Sequence, residues 1–207
     1  MPRSSYEAHL TVRCADDTAL DRLRDWSAAR DLKLTHVVLA RGRTRSQPML
    51  TLREATSYAA QLERARAVAA ELERDGFSVL RLKVECDPWA PEVPREPPPD
   101  ERHFEHHVKL RLAAGADLTA LAARVAPHGA HLSWNARRVS GPGHHERFVT
   151  QRCHGVAADG AGRALDALLA ELAGLEVLDV EREFVLHDSD ASVDDGWLTA
   201  ADEEVTA

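Results

Sequence analysis

Two histidines stand in matching surroundings 98 residues apart: His9 in YEAHLTVRC and His107 in FEHHVKLRL. At the same offset Tyr6 answers to Phe104, Glu7 to Glu105, Thr11 to Lys109 and Arg13 to Arg111. Unperturbed imidazole titrates near pH 6.5, so a pair can serve as base and acid around neutrality, worth about 10²–10⁴-fold per group. The candidate catalytic residues are therefore His9, His107, Thr11 and Lys109. Arg13, Arg111, Glu7 and Glu105 are the candidate ligand-binding residues beside them. A solvated sheet face explains a row of polar residues. It does not explain why Glu-x-His-x-(Thr/Lys)-x-Arg occurs twice in order.

Further groups could extend this site. Arg41 and Arg43, with Arg45, load the turn at residues 41–47, and Arg137, Arg138, His144, His145 and Arg147 echo them in the second half. Guanidinium forks match carboxylate and phosphate oxygens, so Arg41, Arg43 and Arg137 form a candidate anion-binding rim, with His131 on a neighbouring row. A solvated hairpin tip explains these arginines equally well. His103, His106 and His107 cluster around Glu105. Same-face residues on one strand lie about 7 Å apart, too far to share an ion. A metal would need a ligand from another strand, such as His131 or His9, and none is expected. The rows Arg81, Lys83, Glu85 and Asp179, Glu181, Glu183 read first as salt-bridge partners. No Walker loop, GxGxxG, nucleophile elbow or HExxH is present, and no cofactor is expected.

His9-Leu10-Thr11-Val12 resembles the histidine, apolar, Ser/Thr, apolar signature of the two-histidine phosphoesterase superfamily. That resemblance implies two pseudo-symmetric lobes, with His9 and His107 as acid and base and Thr11 holding a phosphate oxygen. The second copy departs from it: His107-Val108-Lys109-Leu110 has lysine at the Ser/Thr position. His131-Leu132-Ser133-Trp134 fits better but lies on another strand. Longer phrases, FEHHVKL, HLSWNA, ERFVTQR and VEREFVLHDSD with a following GW, resemble a bacterial family of duplicated ferredoxin-like proteins. That likeness implies no particular activity, but it makes residues 188–197 part of the folded body.

The elements that must carry these residues follow from periodicity. Alternation puts Glu7, His9, Thr11 and Arg13 on one strand face and Ala8, Leu10, Val12 and Cys14 on the other. The same holds for Glu105, His107, Lys109 and Arg111 against His106, Val108, Leu110 and Leu112. Strands are expected at residues 32–40, 48–53 and 77–86, with helices capped by Asp16 or Asp17 and by Thr56 or Ser57. The second half repeats the order, with caps at Asp117 and Asp159 and strands at 130–138, 146–153 and 175–187. The order β-α-β-β-α-β occurs twice, giving an α+β fold of two tandem ferredoxin-like repeats with antiparallel sheets. The expected organisation is a first repeat at 1–87, a linker at 88–100, a second repeat at 101–188 and an acidic, partly docked tail at 189–207. Six of the ten prolines fall in the linker region. Each sheet keeps one open face. The two faces are expected to meet across a pseudo-twofold axis, unless edges or helices make the contact instead.

Bulk properties narrow the function. Net charge is −8, split as +1 over residues 1–99 and −9 over residues 100–207, which argues against a nucleic-acid partner. No apolar run approaches the roughly 18–20 residues that span a bilayer, so no membrane partner and a cytoplasmic setting are expected. Cys14 and Cys86 fall on apolar parity and read as core residues. The leading expectation is a binding module for a small anionic ligand, phosphorylated or carboxylated. A phosphoesterase acting on a cyclic or 2′-5′ phosphodiester is the alternative. A homo-oligomeric assembly protein without a ligand is the third reading, and the sequence leaves open whether the chain is an enzyme.

Overall fold

The computed structural model of the chain describes residues 5–53, 55–136 and 143–197. The first repeat runs β1 (Tyr6–Arg13), α1 (Asp17–Ala28), β2 (Lys33–Leu39), β3 (Ser46–Leu52), α2 (Tyr58–Arg74) and β4 (Ser78–Cys86). The second runs β5 (His103–Ala113), α3 (Leu118–Val125), β6 (Ala130–Asn135), β7 (His144–His154), α4 (Ala158–Glu171) and β8 (Glu176–Asp188). Short 3-10 turns follow α3, at Ala126–His128, and β8, at Ala191–Asp194. The α+β class and the doubled order are those the periodicity predicts.

Local chemistry starts most helices as expected. The carboxylates of Asp16 and Asp117 accept from Ala19 N and Ala120 N, and the Ser57 hydroxyl accepts from Ala60 N. The α4 start differs. Ala157 holds the cap position without a side-chain bond, and Asp159 sits inside the first turn, where the helix dipole favours a carboxylate. β7 also begins earlier than expected. His144 and His145 lie on the strand, because β5 extends far enough to pair with them as Ala113 and Leu112.

Within each repeat the fourth strand lies beside the first, then the third, then the second. The two sheets join along their edges rather than by stacking their open faces. β2 pairs with β6, setting Val38 opposite Trp134, and β4 pairs with β8, setting Cys86 opposite Phe184. The result is one closed, eight-stranded antiparallel barrel in the order β1-β3-β2-β6-β7-β5-β8-β4. Closure pairs Val37–Leu39 of β2 with β6 and Lys83–Cys86 of β4 with β8, edge groups that two stacked open sheets would leave exposed. Register shifts at Thr11/Val12, Val84/Glu85 and Lys109/Leu110 supply extra local twist for the closing curve.

The apolar parity faces outward, under the helices. Leu10, Leu50, Leu52, Leu82 and Val84 pack against Leu23, Trp26, Ala65 and Leu72. Val108, Leu110, Leu132 and Val149 pack against Leu121, Val125, Leu165 and Leu168. Each such side chain contributes about 1.5–3 kcal/mol by leaving water. A third cluster around Phe104, Phe184, Tyr6 and Cys86 spans the β4–β8 join, with the two phenyl rings edge to face at 4.8 Å. His106, on this outer parity, is buried and hydrogen-bonded through Nδ1 to Gln151 Oε1 at 3.0 Å. Among the described residues no helix is long and apolar enough to cross a membrane. The polar parity of all eight strands is left to face the barrel interior.

Candidate functional site

That interior is a cavity of about 190 Å³. One wall, from β1, β4, β5, β7 and β8, is charged. The other, from β2, β3 and β6, carries Thr35, Val37, Met49 and Ser133.

The two histidines have equivalent partners. His9 Nδ1 lies 3.2 Å from Thr51 Oγ1, and its Nε2 lies 2.9 Å from Glu85 Oε2. His107 Nδ1 lies 2.9 Å from Thr150 Oγ1, and its Nε2 lies 3.1 Å from Glu105 Oε1 and 3.4 Å from Glu183 Oε2. The register produces this. Thr51 is the β3 residue directly across from His9, and Thr150 is the β7 residue across from His107. Glu85 on β4 and Glu183 on β8 come from the strand on the other flank, whereas Glu105 lies on β5 itself, two residues before His107. Burial opposes charging of His107, but its hydrogen bonds to Glu105 and Glu183 prevail and raise its pKa to about 10. The two carboxylates thus favour its imidazolium form.

Three buried cations thread the same wall. Lys83 Nζ donates to Glu105 Oε1 at 2.8 Å and lies 2.5 Å from Glu85 Oε1. Arg152 bonds Glu105 Oε2 through Nε and Asp194 Oδ2 through Nη2, the latter at 2.7 Å. Arg81 bonds Asp188 through Nε and Nη2 and Asp194 Oδ2 through Nη1 at 2.7 Å. Burial penalises Lys83, but Glu105 and Glu85 overcome this and hold its ammonium above the usual range. Glu105 also feels the burial penalty, and Arg152 and Lys83 keep its carboxyl well below the ordinary value. The salt-bridge reading of the Arg81, Lys83, Glu85 row is thus correct in kind, with partners from both repeats.

Asp194 enters from outside the strands. The segment after β8 folds over one end of the barrel, and Gln47 Nε2 donates to Asp194 Oδ1 at 2.9 Å. Trp197 closes the strap, its indole N–H donating to Leu132 O at 3.0 Å. Gly42 makes this approach fit: it has φ +107, and a Cβ there would lie 3.0 Å from Asp195 O and Trp197 N.

Like charges also meet in the interior. The β1–β4 register puts Glu7 opposite Glu85, and the β5–β8 register puts Glu105 opposite Glu183. Such pairs are unfavourable without a counter-charge. Ligand atoms of Glu85, His107 and Glu183 all lie within 4.8 Å of one another. Two carboxylates this close repel by about 3.5 kcal/mol or more at an effective dielectric of about 20. Burial and the Glu85 charge push the Glu183 carboxyl up. Burial also penalises ionised Glu85, but Lys83 and His9 prevail and hold it low.

Five of the residues singled out by sequence, Glu7, His9, Thr11, Glu105 and His107, line the cavity together. Other candidates fall elsewhere. Arg13 and Arg111 are exposed at the strand ends, Arg111 paired with Glu176, because parity fixes a side chain's face but not its depth in a barrel. Lys109 pairs with Glu146 at 3.0 Å and is not among the lining residues. His131 packs near the Trp197 ring, and burial with the charges of Arg41 and Arg152 pushes its pKa down to about 4. Arg41 donates from Nε to Trp197 O, and Arg43 donates its backbone N–H to Asp195 O, so both hold the strap. Arg137 lies outside the described residues. On β5 itself, His103 and His107 reach opposite oxygens of Glu105, at 3.5 and 3.1 Å, and the three do not converge on one point. The described residues that could share an ion instead come from three strands, as Glu85, His107 and Glu183. Sequence reasoning missed Thr51, Thr150, Arg152, Gln47 and Asp194 as site residues. A faint signal existed for the glutamates, since Glu85 and Glu183 are also 98 residues apart.

The fold and interior define an α+β barrel made from two ferredoxin-like repeats, with a charged core. No family model matches the chain, and no curated protein matches it. Among solved structures it is similar to the acetolactate synthase small subunit from Thermotoga maritima, with 12% identity, 89% of this chain and 95% of that one covered, and a TM-score of 0.33. It is similar to the aspartate kinase regulatory subunit from Thermus thermophilus, with 16% identity, 82% and 93% coverage, and a TM-score of 0.34. It is also similar to chlorite dismutase from Candidatus Nitrospira defluvii, with 10% identity, 87% and 90% coverage, and a TM-score of 0.30. These likenesses bear on neither ligand nor activity.

Proposed function

We propose that the barrel binds a small molecule through a carboxylate or phosphate group. One observation carries this reading: Arg81, Arg152 and Gln47 grip the Asp194 carboxylate from three directions inside the cavity. Charge-assisted bonds of this kind form a ready receptor for an anion. The chain's own strap supplies the anion they hold, so a ligand's anionic group takes the place of Asp194. Val37, Leu39 and Met49 on the opposite wall then pack the rest of the ligand. Arg13 and Arg111 have no part in this version of the site.

The test is thermal melting with inorganic phosphate and succinate. Asp194→Ala frees the grip, and either anion should raise its Tm by about 5–10 °C at 100-fold excess over Kd. The wild-type shift should be smaller, because Asp194 competes. No shift in either protein ends the reading.

The phosphoesterase reading draws on one observation, the two histidines facing one interior. It is the weaker of the two, since both Nε2 atoms already contact carboxylates and Lys109 is engaged elsewhere. Turnover of 2′,3′-cyclic nucleotides, lost in folded His107→Ala, would support it.

A further inference from the structure

We propose that the barrel holds a divalent transition-metal ion between Glu85, His107 and Glu183. This goes beyond the anion reading, which uses Arg81, Arg152 and Gln47 and needs no metal.

The donor set sets the ion class. Two carboxylates with an imidazole suit zinc, manganese, iron, cobalt or nickel, whereas calcium and magnesium prefer all-oxygen shells. The donors come from separate adjacent strands, β4, β5 and β8, so no single-strand spacing limits them. Their ligand atoms lie within 4.8 Å of one another. An ion bound at about 2.0–2.2 Å draws such atoms to roughly 3.5 Å apart, a movement that side-chain torsions supply.

Three further observations point the same way. First, register sets Glu105 opposite Glu183 and Glu7 opposite Glu85, and while Lys83 and Arg152 hold Glu105 and Arg53 holds Glu7, Glu183 has only the His107 imidazole as an ionic partner among the described residues. Second, Glu85 Oε1 is buried and accepts no hydrogen bond of good geometry, although the Lys83 ammonium lies against it. Third, each imidazole contacts a threonine hydroxyl through Nδ1, Thr51 for His9 and Thr150 for His107, which aims Nε2 at the carboxylates. Metal-ligating histidines are oriented by such outer bonds. Ligation takes the Nε2 lone pair, so any proton held there is released as the ion enters.

The experiment titrates the chelator-treated full chain with Co²⁺, followed by visible d–d absorption, and with Zn²⁺, followed by calorimetry. One ion per chain is expected. Glu183→Gln and His107→Gln should each weaken binding at least about tenfold. Circular dichroism melts check that each variant folds, and either variant alone suffices if the other does not. His144→Gln/His145→Gln, remote from the cluster, should bind as the wild type does. The proposal is overturned by the absence of a saturable Co²⁺ spectrum at millimolar metal, by unchanged affinity in folded Glu183→Gln, or by loss of binding in the His144/His145 variant. Melting shifts with phosphate or succinate are read separately, so failure here leaves the anion reading standing.

Discussion

Glu85 and Glu183 occupy equivalent places in the two repeats, 98 residues apart, and bring carboxylate oxygens within 4.8 Å of each other near the β4–β8 join. The doubling of the chain thus brings two copies of one carboxylate together at the join. His9 and His107 bracket them, and Lys83, which has Glu181 as its counterpart, breaks the symmetry.

Relief of that repulsion should be measurable. In chelator-treated protein, Glu183→Gln keeps an acceptor for His107 but removes a charge facing Glu85 and Glu105. It should raise stability by about 1 kcal/mol, or roughly 2–4 °C in Tm. A drop in Tm would mean that the Glu183–His107 pair outweighs the repulsion.

Glu105 has the opposite sign. It receives Lys83, Arg152 and His107 and is 1% exposed. Glu105→Ala leaves buried cations without their anion and should cost about 3–5 kcal/mol in urea unfolding. A loss below about 1 kcal/mol would show that water replaces the carboxylate.

Asp194 links the strap to pH. Burial opposes its ionised form, but Arg81 and Arg152 prevail and hold its carboxyl below the usual range. A depressed carboxyl adds stability that is present above the unfolded pKa, about 3.9, and lost as pH falls below it. Asp194→Asn should therefore cost about 1.5–3 kcal/mol near neutrality. The gap to wild type should close on acidification through that range. Parallel stability curves at all pH values would refute the assignment.

Gly42 tests how the strap is held. Alanine there meets Asp195 O and Trp197 N at 3.0 Å in a left-handed backbone position. Gly42→Ala should cost about 1–3 kcal/mol. Iodide should then quench Trp197, which is 4% exposed in the native barrel, along with the already exposed Trp89. Unchanged quenching would mean that the strap shifts without lifting.

Much of this molecule was legible from local pattern. Alternation placed His9, Thr11, Glu105 and His107 on one face of their strands, and the 98-residue offset exposed the duplication. Asp16, Ser57 and Asp117 marked helix starts by the reach of a short side chain to a nearby N–H. Depth was not legible: Arg13 and Arg111 share that face but emerge at the strand ends.

The sequence by itself determined element order, facing and repetition, because these depend on side-chain period and on neighbours a few residues away. Tertiary structure decided that the sheets close edge to edge, that Thr51 and Thr150 sit against the imidazoles, and that Asp194 reaches Arg81 and Arg152. Those contacts join residues as far as 113 positions apart, as Arg81 and Asp194 are. They are set by strand register and by the pairing of sheet edges, which no local window contains.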